Sequence, residues 1–372
     1  MTAEKPSVLL AAGGTGGHLF PAQALAEELA QRNIAVDLAT DMRGDRYGTG
    51  FPARNVYRLP SATLGSKSPI AMARTAWLLG RGLVASLGLM SRLKPKVVVG
   101  FGGYPTFAPL KAASLRGIPT ILHEQNAVLG RANRMLAKSV SAIATSFAST
   151  KYLTPDLAAR ARLTGNPVRA AVMEAAKRPY AAPTLGGRLE LLVFGGSQGA
   201  RFFSEAVPPA LQLLPEELRR RLHVVQQARP EDLEEVSATY RAAGIDAEVA
   251  AFFRDLPQKM AAAHVVIARS GASTVAELTV VGRPAILVPL PHALDNDQLN
   301  NAARLAESGA AWCIEQKDLS PQRLAQDVGK LLGRPDGLVS AADAALQLGR
   351  PDAVLRLADL VEELMAARSA GA

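Results

Sequence analysis

His18 follows four glycines, at positions 13, 14, 16 and 17, in the stretch VLLAAGGTGGHLFPAQALAEEL (8–29). A neutral imidazole can accept a proton near pH 7, and histidine is the commonest general base. A glycine loop that feeds a helix N-terminus makes an anion site from backbone N–H groups and the helix dipole. GGTGGH lacks the lysine and Ser/Thr of a Walker A loop. It does not fit G-x-G-x-x-G either, because Leu19 stands where the third glycine belongs. Asp41 follows the second strand, so the spacing leaves a dinucleotide reading open. A ligand-free tight turn would need fewer glycines, so a bound anion is the expectation. His18 is then expected in catalysis or substrate binding rather than as a helix cap.

GGSQGA (195–200) repeats the strand, glycine loop and helix arrangement in the second half of the chain. In ARSGASTVAEL (268–278), Ser270, Ser273 and Thr274 could cap a helix whose N–H groups point at a phosphate. Glu277 stands three residues after Thr274, which is capping-box spacing; its other reading is a carboxylate for sugar hydroxyls, and both stay open. Asp295-Asn296-Asp297 could hold Mg²⁺ or Mn²⁺ on a nucleotide sugar. These residues also suit the N-terminus of a helix beginning near Gln298, and that structural reading, with no metal, is preferred. HEQN (123–126) and GNPVR (165–169) read as polar loops beside a cleft.

The net charge of +9 favours anionic partners, but only 5% of residues are aromatic and no basic-aromatic block occurs, so nucleic acid is not expected. Cys313 is the single cysteine and reads as a small core hydrophobe. The first apolar run, VLLAA, is too short for a signal peptide, which points to the cytoplasm. Residues 69–90 carry only Arg74 and Arg81 as charges, too central for a membrane span. As a helix, this segment puts Arg74, Trp77, Leu78 and Arg81 on one face and Met72, Leu79, Leu83, Leu87 and Met90 on the core face. The arginine–tryptophan face either lies on an anionic bilayer surface or is ordinary solvated surface. Gly80 and Gly82 weaken the helix.

Strand candidates alternate with helical stretches: 7–12, 35–40, 96–101, 119–124 and 141–146, then 189–194, 222–227, 247–252, 264–269 and 284–290. The first helix is expected from Pro21 to Gln31, and a last amphipathic helix over 351–368 with Asp352 as its N-cap. Between 164 and 188 the pattern lapses into Pro, Gly and Ala. The fold expected is α/β, with two Rossmann-like parallel-sheet domains facing across a cleft.

Taken in order, GGTGGH, GGY (102–104), HEQN, GNPVR, GGSQGAR, RSGASTVAEL and PHALDNDQ closely resemble the MurG family of bacterial glycosyltransferases over nearly the whole chain. The resemblance implies the GT-B architecture, with residues 1–169 as an acceptor and membrane-associating domain. It gives residues 170–350 to UDP-GlcNAc binding and packs a C-terminal helix (351–372) back on the first domain. It implies inverting transfer of GlcNAc from UDP-GlcNAc to the 4-hydroxyl of undecaprenyl-diphospho-MurNAc-pentapeptide (lipid I), giving lipid II for peptidoglycan, without cofactor or metal. The location implied is the cytoplasmic face of the inner membrane, with other cell-wall synthesis proteins as partners.

His18 matches the family's proposed general base. Thr15, Gly16 and Gly17 match a loop near donor and acceptor phosphates, Asn126 and Arg169 match donor-binding positions, and Ser197 a diphosphate contact. Ala272, Ser273, Thr274, Val275 and Ala276 match the helix start facing the α-phosphate, Glu277 the ribose-binding carboxylate and Gln298 a contact to sugar hydroxyls. Phe253 replaces an aliphatic residue against uracil. The lipid acceptor gives the Arg74, Trp77 and Arg81 face a membrane-surface role. The rival readings are a UDP-GlcNAc 2-epimerase on the same architecture, a non-catalytic nucleotide-sugar sensor, and an NAD-dependent oxidoreductase.

Overall fold

The computed structural model describes residues 6–13, 16–41, 51–61, 68–184 and 186–370. Thr15 of the first glycine loop lies outside the described residues. The chain divides into two compact units, Met1–Arg169 with Pro351–Ala372, and Ala170–Arg350.

The first unit holds strands β1 (Ser7–Ala11), β2 (Ala35–Thr40), β3 (Val56–Arg58), β4 (Val97–Gly100), β5 (Thr120–Glu124), β6 (Ala142–Thr145) and β7 (Ala161–Leu163). They form one sheet in the order β3-β2-β1-β4-β5-β6-β7, parallel throughout. Successive side chains of β1 point to opposite faces, and the core splits accordingly. Val8 and Leu10 pack with Leu25 and Leu29 of the Gly16–Gln31 helix and with Leu357 and Val361 of the C-terminal helix. Leu9 and Ala11 pack on the other face with Met90, Leu110 and Leu136, from the helices Pro69–Leu93, Phe107–Leu115 and Arg131–Leu136.

The C-terminal helix spans Ala353–Ala370 and is tied down at its middle and near its C-terminal end. Asp359 and Glu362 share the guanidinium of Arg32, at 2.6 and 2.5 Å. Arg368 donates to the carbonyl of Pro95 at 2.7 Å. Asp352 precedes the helix, and its carboxylate accepts from Nε of Arg356 at 2.6 Å.

The second unit holds β8 (Leu189–Phe194), β9 (Leu222–Gln227), β10 (Asp246–Ala250), β11 (Val265–Ala268), β12 (Ala285–Leu287) and β13 (Ala311–Cys313), in the parallel order β10-β9-β8-β11-β12-β13. Its core joins Leu191, Val193 and Ile267 of the sheet to Phe203, Val207 and Val328 of the covering helices.

Each sheet reverses its winding once, between β1 and β4 and between β8 and β11. The carboxyl edge at such a reversal is where α/β sheets bind ligands. GGTGGH leaves β1 and GGY leaves β4; GGSQGA leaves β8 and RSGAST leaves β11. Four of the motifs therefore converge, two by two, on the switch points.

The first helix starts at Gly16 rather than Pro21, which is its sixth residue and lies inside it; proline there has no N–H to offer the Gly17 carbonyl, and the helix runs on past the missing bond. The Pro69–Leu93 helix is continuous through Gly80 and Gly82. A Cβ on Gly82 would stand 2.4 Å from the carbonyl oxygen of Pro60, so a close backbone crossing accounts for that glycine. Leu83, Leu87 and Met90 do face the core, but Met72, expected on the same face, is 55% exposed. The edge strands β3, β7 and β13, of three residues each, had no counterpart among the expected strands.

Candidate active site

In the first unit, β1 ends at Ala11 and the chain re-enters helical geometry at Gly16, which places His18 in the first turn. Its half-buried ring is nested in backbone. A Cβ added at Gly13 would stand 3.2 Å from Nδ1, one at Gly102 3.3 Å from Nε2, and one at Gly103 3.4 Å from Cε1. Gly102 and Gly103 have φ of +85° and +76°, which L-residues with side chains rarely adopt. The GGY loop thus leaves the room that the imidazole occupies.

A buried chain of polar contacts leads on from this loop. Gln125 donates from Nε2 to the Phe101 carbonyl at 2.8 Å and lies 3.1 Å from Nδ1 of His123. Nε2 of His123 is 3.0 Å from the carbonyl oxygen of Gly165, so Nε2 carries the proton and Nδ1 accepts. Burial pushes the His123 imidazole down to about 4, so it stays neutral and serves as a strut. HEQN and GNPVR are thereby joined behind the GGY loop.

Glu124 is buried, and burial raises its pKa against the pull of its hydrogen-bond donors. Its carboxylate accepts from the Asn126 N–H at 2.9 Å, the Gly130 N–H at 2.9 Å and Asn133 Nδ2 at 2.7 Å. Asn126 is held at both its backbone and side-chain amides, the latter at 3.3 Å. Arg169 stacks over the ring of Phe20, its guanidinium carbon 4.8 Å from the ring centre.

In the second unit, Gly195 precedes the Gly196–Gln212 helix, and Gly196 has φ of +64°. The Gly196 N–H donates to Oε1 of Gln227 at 3.1 Å, while Nε2 of Gln227 donates to the Ala251 carbonyl at 3.2 Å. Gln227 thus fixes the glycine loop to the segment that carries Phe252 and Phe253. Phe253 is buried at 8% exposure with Lys259 Nζ 5.1 Å from its ring, whereas Phe252 is 73% exposed. The side chain of Ser197 lies outside the described residues.

The Ala272–Val281 helix has Gly271 as its N-cap and no side-chain cap. The expected serine and threonine caps are therefore not made, and Thr274 with Glu277 forms no capping box, since Thr274 is already the third helical residue. Ser270 Oγ instead donates to the Gln298 carbonyl at 2.8 Å. Ser273 Oγ is buried with no partner among the described residues, and Glu277 is buried on the same helix. With Ala272, Val275 and Ala276, these residues form the first turns, whose leading N–H groups have no acceptor within the helix.

Asp295 and Asn296 are left-handed, at φ of 57° and 53°, and lead into the Asp297–Glu307 helix. Asp297 accepts the Gln298 N–H at 2.7 Å, and Oε1 of Gln298 accepts the Leu290 N–H at 3.0 Å. Among the described residues no three His, Cys, Asp or Glu side chains gather as a metal site.

Arg269 and Gln227 were not singled out in the sequence. The Arg269 guanidinium sits against both Phe202 and Phe203, 5.0 and 5.1 Å from their ring centres, and donates to the Val288 and Pro289 carbonyls and to Gln316. Burial pushes its guanidinium down to about 10. An arginine placed straight after a buried strand was the available signal.

On the Pro69–Leu93 helix, Arg74, Trp77 and Arg81 are exposed, and Arg81 sits 4.7 Å over the Trp77 ring. Pro60, Val84 and Ala85 extend this surface as the lining of a groove. No helix among the described residues is long and apolar enough to cross a membrane. Burial raises the half-buried Cys313 thiol, in keeping with a packing role.

Two parallel-sheet Rossmann-like domains, each with glycine loops at its switch point, are the GT-B architecture, and the family matches make this chain a glycosyltransferase. Residues 8–145 match the glycosyltransferase family 28 N-terminal domain and residues 190–357 the family's C-terminal domain. The chain is 56% identical to the UDP-N-acetylglucosamine–N-acetylmuramyl-(pentapeptide) pyrophosphoryl-undecaprenol N-acetylglucosamine transferase of Methylobacterium sp. (strain 4-46), over 99% of this chain and 100% of that one. It is 54% identical to the Rhizobium meliloti (strain 1021) protein of the same name, over 97% and 96%. The crystal structure of Acinetobacter baumannii MurG superposes with a TM-score of 0.79 at 29% identity, covering 96% of this chain and 99% of that one. A UDP-N-acetylglucosamine 2-epimerase shares the fold, with a TM-score of 0.67 at 14% identity, over 98% of this chain and 96% of that one. The chain belongs to glycosyltransferase family 28, among its MurG transferases.

Proposed function

We propose that this chain transfers GlcNAc from UDP-GlcNAc to the 4-hydroxyl of lipid I, with inversion, releasing lipid II and UDP. The observation that carries this reading is the 56% identity, over 99% of the chain, to a relative named for that transfer. The acceptor oxygen attacks the anomeric carbon and the bond from that carbon to the diphosphate breaks, its electron pair leaving with UDP. His18 takes the hydroxyl proton. Its lodging among Gly13, Gly102 and Gly103 supports this role, because a base must be held in one place to act.

The donor is assigned to Ser197, Phe253, the first turns Ala272–Ala276, Glu277 and Gln298 in the second unit, and to Thr15, Gly16, Gly17, Asn126 and Arg169 in the first. Helix N-termini favour the charge that develops on the leaving diphosphate. The unpartnered hydroxyl of Ser273 suits a ligand oxygen. With Oε1 of Gln298 committed to Leu290, its Nε2 is the end that meets sugar hydroxyls. The carboxylate of Asp297 serves its own helix start, which supports a mechanism without a metal.

The lipid acceptor puts the enzyme on the cytoplasmic face of the plasma membrane as a peripheral protein. Arg74, Trp77 and Arg81 are the contact. Charge supports this assignment: between residues 69 and 154 the only acid is the buried Glu124, against eleven lysines and arginines. Three helices of this stretch cover one face of the first sheet, so the cationic excess belongs to one side of the unit.

Product analysis tests the reading. Incubation with UDP-GlcNAc and a lipid I analogue is expected to yield a β-1,4-linked disaccharide. Conversion of UDP-GlcNAc to its 2-epimer without acceptor would contradict it and favour the epimerase.

A further inference from the structure

Phe20 belongs to none of the roles assigned above, yet it touches two of the assigned elements. Its ring would lie 3.1 Å from a Cβ at Gly16, so it rests on the first turn of the glycine-loop helix. The same ring lies under the Arg169 guanidinium, 4.8 Å from the ring centre. Both residues belong to the first unit, although they are far apart in sequence. A guanidinium stacked on an aromatic face keeps its N–H groups in its own plane, pointing outward at the edge. Arg169 ends the first segment of that unit, where the chain passes on to the second unit, and an arginine there has many rotamers to lose on binding.

We propose that Phe20 is a positioning residue for donor binding, holding the Arg169 guanidinium beside the first turn of the glycine-loop helix. This rests on the reading of Arg169 as a donor contact. Phe20 does not touch the reacting atoms; it removes the ordering cost that Arg169 would otherwise meet when UDP-GlcNAc binds. The effect falls on donor binding and leaves the chemical step alone. An aliphatic side chain fills the volume but lacks the π face, whereas tyrosine or tryptophan keeps it.

The experiment measures KM for UDP-GlcNAc and kcat at saturating lipid I analogue, with thermal denaturation of every variant alongside. Phe20→Leu is expected to raise the donor KM about three- to tenfold, the range of a partly exposed cation–π contact. Phe20→Met gives the same result should the leucine variant lose its fold, while Phe20→Tyr and Phe20→Trp keep the wild-type KM. Arg169→Ala raises the donor KM, and adding Phe20→Leu to it raises KM no further, because the ring has nothing left to hold. Effects that multiply in the double variant would overturn the role of Phe20 while leaving Arg169 as a donor contact. A wild-type donor KM in Arg169→Ala would overturn the reading of Arg169 itself.

Discussion

The imidazole of His18 and the backbone of Gly102 share one small space: a Cβ at residue 102 would come within 3.3 Å of the ring Nε2. His18 lies in the first turn of the helix that follows β1, and Gly102 in the loop that follows the adjacent strand β4, where the first sheet reverses its winding. The base candidate is therefore located by a loop that sequence spacing does not connect to it.

Gly102→Ala tests that relationship. The φ of +85° strains any side chain there, and the methyl group presses on Nε2. A displaced base costs turnover, so kcat is expected to fall about 10²-fold, while the affinity for UDP-GlcNAc, read by isothermal titration, stays near wild type. A variant with unchanged kcat would show that His18 needs no such seat.

Glu277→Gln keeps the shape of a buried side chain and removes its charge. If the carboxylate accepts hydrogen bonds from the ribose, UDP affinity drops by about 1.5–3 kcal/mol, the worth of a charged hydrogen bond, with only a small change in Tm. A large fall in Tm with UDP affinity unchanged would make Glu277 a fold residue only.

His123 supplies a pH prediction. Its folded-state pKa is about 4 against an ordinary 6.5, so the unfolded chain binds the extra proton between those values. Stability from the neutral strut is complete above pH 6.5 and is lost as pH falls from 6.5 toward 4, by up to about 3 kcal/mol. Glu124, raised by burial, works with the opposite sign nearby. The difference in denaturation free energy between wild type and His123→Gln isolates the histidine, and that difference is expected to shrink on acidification. A difference independent of pH would mean that His123 charges freely in the folded chain.

How far these features could be read beforehand depends on how local each one is. The long buried strands and both glycine loops were legible because periodicity and glycine excess are local signals. The three-residue edge strands were not, since so short a segment carries no period. Pro21 misled because a proline that opens a helix and one that lies inside it look alike in sequence. The seat of His18 was hidden for another reason: its neighbours, Gly102 and Gly103, become adjacent only through the parallel pairing of β1 with β4. Arg269 and Gln227 act through carbonyl and amide contacts made by the fold, and no motif announces such contacts.

Membrane association is tested by Arg74→Glu with Arg81→Glu, which reverses the exposed charge beside Trp77. Each basic residue near an anionic surface contributes about 1 kcal/mol, so the pair is expected to weaken binding to phosphatidylglycerol vesicles at least tenfold in a sedimentation assay. Activity on a short-chain, water-soluble acceptor should be spared. Unchanged vesicle binding would leave this face as solvated surface.

The transferase assignment itself is tested most directly by UDP release, followed continuously with UDP-GlcNAc present and a lipid I analogue added or withheld. Release is expected to require the acceptor and to fall by about 10²–10⁴ in His18→Ala. Release independent of the acceptor, or donor binding with no release in its presence, would contradict the assignment.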